Sequence, residues 1–316
     1  MTDLNQTPPP TKRLPHRLPL QWEWPTLGLF IACCAGLAAG VVWLPTFSMP
    51  LAFVVSTFAL VLHASLSHEI LHGHPFPNRR ASELLGHINP GLAIPYLRFR
   101  DTHLAHHQDA NLTDPYDDPE TNYLDPAHWA RMPRWLKLLR DVNNTLAGRM
   151  LIGPVIAQVV FMADDWRRIR RGDGQVALGW ALHIPGAALV IWAVLQSPMP
   201  LWLYLCACYA AISVLKIRTF LEHQAHEKAR GRTVVIEDRG LLAFLFLNNN
   251  LHMVHHMHPR VAWYRLPGLY ASNRDRYLRR NDGYVYRSYG EIFRRYFWRA
   301  KDPVAHPLWP SGGTPR

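Results

Sequence analysis

Four stretches of the chain, residues 26–46, about 49–67, about 176–196 and 199–215, contain no Lys, Arg, Asp or Glu. Each approaches the ~20 apolar residues that a helix needs to cross a bilayer core of ~30 Å. Backbone in hydrocarbon must satisfy its own hydrogen bonds, so the stretches predict membrane helices at about 26–46, 49–70, 176–196 and 199–221. The basic residues support this independently. None of the 34 Lys and Arg lies between positions 18 and 78 or between 172 and 215, and Lys and Arg collect on the cytoplasmic side of membrane helices. The expected fold is therefore all-α, an integral membrane protein of four transmembrane helices in two hairpins. Both termini and a helical cap are expected in the cytoplasm. By length alone, 316 residues would imply roughly two soluble domains, but a soluble protein has no reason to sort its charges this way.

The expected organisation is a disordered cytoplasmic tail over 1–25, a membrane domain over 26–270 and a basic cytoplasmic segment over 271–316. The tail carries P-P-P at 8–10 and no small-residue cleavage site, which argues against a secretory signal. Residues 84–97 are apolar but broken by Gly86, Pro90, Gly91 and Pro95, and are expected to dip into the interface without spanning it. Residues 129–171 mix tryptophan, leucine and arginine as a helix on a bilayer surface would. The formal net charge of +11 fits anionic headgroups or an acidic protein partner. Nucleic acid is not an expected partner, because no nucleic-acid-binding motif accompanies the scattered charge. Cys33, Cys34, Cys206 and Cys208 all fall inside predicted spans and read as packing residues.

Three histidine clusters lie in or beside apolar stretches: H-E-I-L-H at 68–72, H-L-A-H-H at 103–107 and H-M-V-H-H at 252–256. Histidines three or four positions apart share a helix face, so each cluster can aim two or three imidazoles at one point. Eight imidazoles exceed the needs of one tetrahedral zinc and suit a pair of metals. Without a metal, neighbouring imidazoles would repel when protonated and would need separate partners when neutral. Isolated His63 and His183 read as packing residues, and His87, His128, His16 and His306 as ordinary ones, while His74, His226 and His258 stay open. Of the nearby acids, Glu69 and Glu222 are the best candidates to accept the second N–H of a ligating ring, with Asp101 another. H-E-I-L-H also satisfies H-E-x-x-H, the zinc-protease pattern in which the glutamate activates water. That reading leaves both H-x-x-H-H clusters unexplained.

These boxes, H-x-x-x-H, H-x-x-H-H and H-x-x-H-H in the order span, span, box one, box two, span, span, box three, resemble the integral-membrane fatty acid desaturase and hydroxylase superfamily. F-R-D-T-H-L-A-H-H before L-T-D-P, R-T-F-L-E-H after the fourth span and N-N-N-L-H-M-V-H-H-M-H-P before W-Y-R-L-P are similar to small bacterial desaturase-like proteins. The resemblance covers about residues 25–270. It implies two iron ions, with ligands at His68 and His72, at His103, His106 and His107, and at His252, His255 and His256. His223 matches an extra histidine at the end of the fourth span, which makes nine imidazoles. Thr219 stands where animal acyl-CoA desaturases place an asparagine, so a last coordination position would fall to water or to a carboxylate such as Glu222. No catalytic side chain beyond the metal ligands is implied.

The implied reaction is O2-dependent removal of two hydrogens from an acyl chain, for which a side-chain base is too weak and metal-activated oxygen is needed. Hydroxylases and carotenoid-type ketolases share the boxes. A catalytically silent metal-binding membrane protein is a third reading. The chain has no H-P-G-G haem pattern, ferredoxin cysteine set or G-x-G-x-x-G fingerprint, so electrons are expected from a separate donor such as ferredoxin with its reductase. The expected partners are membrane lipids, the acyl substrate and that donor. The expected location is an integral membrane position, in a bacterium the inner membrane, with the active site cytoplasmic.

Overall fold

The structure is a computed structural model that describes residues 22–309. Four helices are long and apolar enough to cross a membrane. The first, α1 (Trp24–Val42), continues through a 3-10 turn over Leu44–Thr46. The second, α2 (Met49–Leu71), starts at Ser48, whose Oγ accepts the Leu51 amide, and has Pro50 in its first turn. It ends at box one, where Gly73 takes φ +104° and Pro75 follows. At Gly40 a Cβ would lie 2.5 Å from Ser56 Oγ, so α1 and α2 pack at a distance only glycine allows. The expected tail falls outside the described residues as far as residue 21. Of its last four residues, Glu23 bonds His74 Nδ1 at 2.7 Å and Trp24 opens α1.

Two short helices, α3 (Arg79–Gly86) and α4 (Tyr96–His106), flank the broken apolar segment, and α4 carries box two. The turn between them inserts among spans, and side chains from later helices donate to three of its carbonyls. Tyr204 Oη donates to Pro90 O at 2.8 Å, His183 Nε2 to Leu92 O at 2.9 Å and Gln158 Nε2 to Ala93 O at 2.8 Å. Irregular backbone at this depth persists only with such partners.

Residues 126–170 fold as α5 (Pro126–Arg131), α6 (Arg134–Asn143), α7 (Leu146–Leu151) and α8 (Gly153–Arg170). The second hairpin follows as α9 (Gly174–Leu195), capped by Asp173 Oδ1 on the Gln175 and Val176 amides, and α10 (Leu201–Thr219). All four spans begin and end within a few residues of the positions read from charge patterning. Trp24, Trp43, Trp192 and Trp202 project outward near span ends, as aromatic side chains do at a bilayer interface.

Beyond α10 a two-residue parallel ladder, β1 (Val235–Ile236) with β2 (Val285–Tyr286), frames α11 (Leu241–Leu245), α12 (His252–Met257), α13 (Leu266–Arg280) and α14 (Tyr289–Tyr296). Box three lies on α12, whose Met253 N–H donates to Val234 O, the residue before β1. The stretch after residue 296 returns to the site: Leu124 N–H donates to Val304 O, and Lys301 Nζ donates to His223 O. A buried ion pair, Arg98 with Asp165 at 2.8 Å, fixes α4 against α8, and Trp180 Nε1 of α9 donates to the same carboxylate at 2.8 Å.

Candidate metal centre

The nine histidines come together as two groups. His68, His72, His103, His107 and His255 form one; His106, His223, His252 and His256 form the other. Within each group the available ligand atoms all lie within 4.8 Å of one another. Helix geometry explains the sorting. Residues at i and i+4 stack on one face, so His68 with His72, His103 with His107 and His252 with His256 each stay in a single group. The middle histidine of each H-x-x-H-H box crosses over: His106 joins the second group and His255 the first. Each adjacent pair, His106–His107 and His255–His256, therefore straddles both positions, because neighbouring residues diverge by about 100° around a helix.

The nitrogens meet edge to edge. His68 Nε2 and His107 Nε2 lie 3.0 and 2.9 Å from His103 Nε2, and His255 Nε2 lies 3.2 Å from His107 Nε2. In the second group His106 Nε2 and His252 Nε2 lie 2.9 and 3.1 Å from His223 Nε2. Imidazoles ~2.1 Å from one ion and at right angles around it would be ~3.0 Å apart, so the spacing fits shared metals. His72 Nε2 is buried and has no hydrogen-bond partner among the described residues, the condition of a ligand atom facing a metal position.

The far sides of the rings are held. Glu120 Oε1 lies 2.9 Å from His103 Nδ1, Asp118 Oδ1 2.8 Å from His106 Nδ1 and Asn249 Oδ1 3.0 Å from His252 Nδ1. Thr233 Oγ1 lies 3.3 Å from His223 Nδ1. Fixing Nδ1 in this way leaves Nε2 free to face a metal and raises its basicity. Asp118 is itself set by the Thr113 and Glu120 amides, each 2.9 Å away. The N-N-N run before box three has a task for each residue: Asn248 bonds Trp263 O, Asn249 orients His252, and Asn250 bonds Ile236 O and Asp238 O. Leu247 and Asn248 take φ +51° and +57°, a turn that asparagine tolerates.

The acids expected to support the ligands are placed differently. Asp101 pairs with Arg100 at 2.9 Å and reaches no histidine among the described residues, because a residue two positions before His103 points to the opposite side of α4. Glu69 Oε2 accepts the Trp263 amide at 3.2 Å. Glu222 pairs with Arg218 at 3.0 Å and lies 3.8 Å from His252 Nδ1. Asp118 and Glu120, from the acidic loop after box two, take the orienting positions. Thr219 Oγ1 is buried without a hydrogen-bond partner among the described residues. His74 bonds Glu23, and His226 lies 3.7 Å from Asp282, so neither joins a group; His258 lies beside Tyr277.

Burial, reinforced by the neighbouring imidazoles, holds His72, His107, His223, His252 and His255 well below the ordinary histidine range, in the neutral metal-binding form. His106 goes the other way. Burial lowers it, but Glu120 and Asp118 outweigh that and raise it to about 9. Glu120 is held well below the usual carboxylate range, its burial outweighed by His106 and His103. The arrangement can hold two metal ions in a largely water-free setting at the ends of α2 and α10.

A beta-carotene ketolase of Paracoccus sp. (strain N81106 / MBIC 01143) is 25% identical over 210 residues, which cover 64% of this chain and 71% of the ketolase. The beta-carotene ketolase of Paracoccus sp. (strain PC1) is 24% identical over 212 residues. The endoplasmic-reticulum omega-3 fatty acid desaturase of Nicotiana tabacum is 22% identical over 239 residues, 64% of this chain and 58% of the desaturase. The sequence model of fatty acid desaturases matches residues 42–288, from the end of α1 to β2, and takes in all nine histidines. With its four spans and its two imidazole groups, the chain belongs to the fatty acid desaturase family.

Proposed function

We propose that this membrane oxidoreductase is an O2-dependent di-iron desaturase that introduces a double bond into an acyl chain. The observation that carries the reading is the division of nine imidazoles into groups of five and four. Iron at these positions would supply activated oxygen, which an unactivated C–H bond requires. The chain's own residues would bind and orient. His68, His72, His103, His107 and His255 would hold one ion and His106, His223, His252 and His256 the other. Asp118, Glu120, Asn249 and Thr233 fix ring orientation, and burial keeps water from the site. Electrons would come from a separate donor such as ferredoxin with its reductase, docking on the basic face. The charge distribution supports a cytoplasmic active site, in a bacterium at the inner membrane.

A hydroxylase or ketolase is the second reading, favoured by the similarity to the two Paracoccus ketolases. The hydrolytic reading of H-E-I-L-H is disfavoured, because five imidazoles surround its metal position and Glu69 is bonded to the Trp263 amide. The test is expression in a host lacking related enzymes, fed with deuterated fatty acids. Loss of two deuterons from adjacent carbons supports desaturation. A hydroxylated acyl product supports the hydroxylase, a ketone on a supplied carotene supports the ketolase, and no oxygen-dependent product at all would refute the oxidase reading.

A further inference from the structure

Eight of the nine histidines sit on a helix or at its C-cap: His68 and His72 on α2, His103, His106 and His107 on α4, and His252, His255 and His256 on α12. His223 is the exception. It lies past the end of α10 at Thr219, in an isolated antiparallel bridge with Thr233. The flanking residues make the hydrogen bonds of that bridge, Gln224 N–H to Arg232 O at 2.9 Å and Val234 N–H to Glu222 O at 3.1 Å. A residue at such a non-hydrogen-bonded pair leaves its own carbonyl unused by the ladder. The His223 carbonyl accepts from Lys301 Nζ instead.

Lys301 belongs to a stretch, residues 297–309, that lies beyond residue 288, where the family match ends. Backbone bonds lace this stretch to the chain around it: Ala147 N–H donates to Phe297 O at 3.0 Å, Leu124 N–H to Val304 O at 2.9 Å and His306 N–H to Leu124 O at 2.8 Å. Asp302 Oδ2 pairs with Lys301 Nζ at 3.0 Å and accepts from Tyr123 Oη, which itself accepts the Ala225 amide at 2.9 Å. The main chain around His223 is therefore held on both sides. A second route runs through His306, which is 7% exposed. Its Nε2 lies 3.3 Å from Thr113 Oγ1, the Thr113 amide donates to Asp118 Oδ2 at 2.9 Å, and Asp118 Oδ1 lies 2.8 Å from His106 Nδ1. Thr113 takes φ +69°, a strained backbone for a β-branched residue that persists only where its surroundings hold it.

We infer that residues 297–309 form a strap that fixes the metal position of the second group, with Lys301 and His306 as its positioning residues. Both routes end in that group: Lys301 reaches His223 directly, and His306 reaches His106 through Thr113 and Asp118. The Nε2 atoms of those two rings lie 2.9 Å apart. The first group meets the strap more remotely, through one ring of its five, His103, whose partner Glu120 stands in the same loop as Asp118. Contacts that orient a ligand are worth about 10–100-fold in metal affinity. The strap therefore bears mainly on one metal position of the two. The inference rests on metals filling the two imidazole groups and is independent of the reaction they support.

The test is anaerobic titration of the full-length, detergent-purified and chelator-stripped protein with ferrous iron, counting ions bound per chain. Lys301→Met keeps an apolar stem and loses the donor; His306→Phe keeps a ring beside Tyr123, now at 5.0 Å, and loses Nε2. Each should weaken the ion of the second group about tenfold and leave that of the first in place. Lys301→Arg should keep wild-type affinity, because a guanidinium still donates to the His223 carbonyl. Ligand substitutions identify the position affected. Added to His68→Ala, which damages the first group, Lys301→Met should weaken the remaining ion about tenfold; added to His252→Ala, which damages the second, it should change nothing. Wild-type affinity for both ions in Lys301→Met and His306→Phe, an equal loss of both ions, or a loss in Lys301→Arg as large as in Lys301→Met would overturn the strap's role. A wild type that binds fewer than two ferrous ions would overturn it together with the ligand assignment. The expected pattern of ions without any oxidation product would refute the desaturase reading and leave the strap standing.

Discussion

Replacing Asp118 with Asn removes the carboxylate that accepts from His106 Nδ1 at 2.8 Å, in a chain otherwise unchanged in shape. Asp118 acts on metal binding in two opposed ways. It orients the ring, and with Glu120 it raises His106 to about 9 against the effect of burial. In the metal-free protein at pH 7 that ring is protonated, and a metal must displace the proton. Two pH units at ~1.4 kcal/mol each oppose binding by about 3 kcal/mol at pH 7, and the opposition fades above pH 9. Affinity at the position formed by His106, His223, His252 and His256 should therefore climb about tenfold per pH unit from 7 to 9, then level off. Asp118→Asn lets the His106 pKa fall toward its ordinary value, so the climb becomes shallower. Losing such an orienting partner costs about 10–100-fold in metal affinity. The two effects partly cancel at pH 7 and separate at pH 9, where the full defect appears. Chelator competition on detergent-purified protein at pH 7, 8 and 9 measures it, with metal retained per chain as the readout. A variant that matches the wild type at pH 9, or a defect of the same size at every pH, would refute the reasoning.

His106→Ala and His255→Ala, which each remove one crossing ligand, should insert normally into membranes and lose all turnover; activity in both would remove the basis for the ligand assignment. Glu69→Gln should keep both metals and the oxidase activity, since an amide oxygen can still accept the Trp263 N–H, whereas a hydrolytic site would be silenced. Gly40→Ala places a Cβ 2.5 Å from Ser56 Oγ and should destabilise the α1–α2 hairpin by about 1–3 kcal/mol, seen as earlier thermal unfolding in detergent. Gly36→Ala, with nothing within 4 Å, is the matched control and should unfold like the wild type.

The spans were legible because a bilayer imposes two constraints that show directly in sequence, a length of apolar residues and a side for the charges. The membership of the histidine set was legible for a similar reason: i, i+4 spacing on a helix announces a shared face. Which of the two groups each ring joins was not, because the sorting of His106 from His107 and of His255 from His256 depends on how α4 and α12 are rotated in the assembled fold. The orienting acids were hidden more deeply. Asp118 and Glu120 stand 12 and 17 positions from the rings they hold, in an irregular loop with no period to betray its direction. Asp101, close in sequence, points away.

Metal content of the protein purified from iron-replete cells, measured per chain, bears most directly on the di-iron reading. Two irons per chain are predicted, falling toward one in Asp118→Asn at pH 9. One zinc per chain without iron would contradict it.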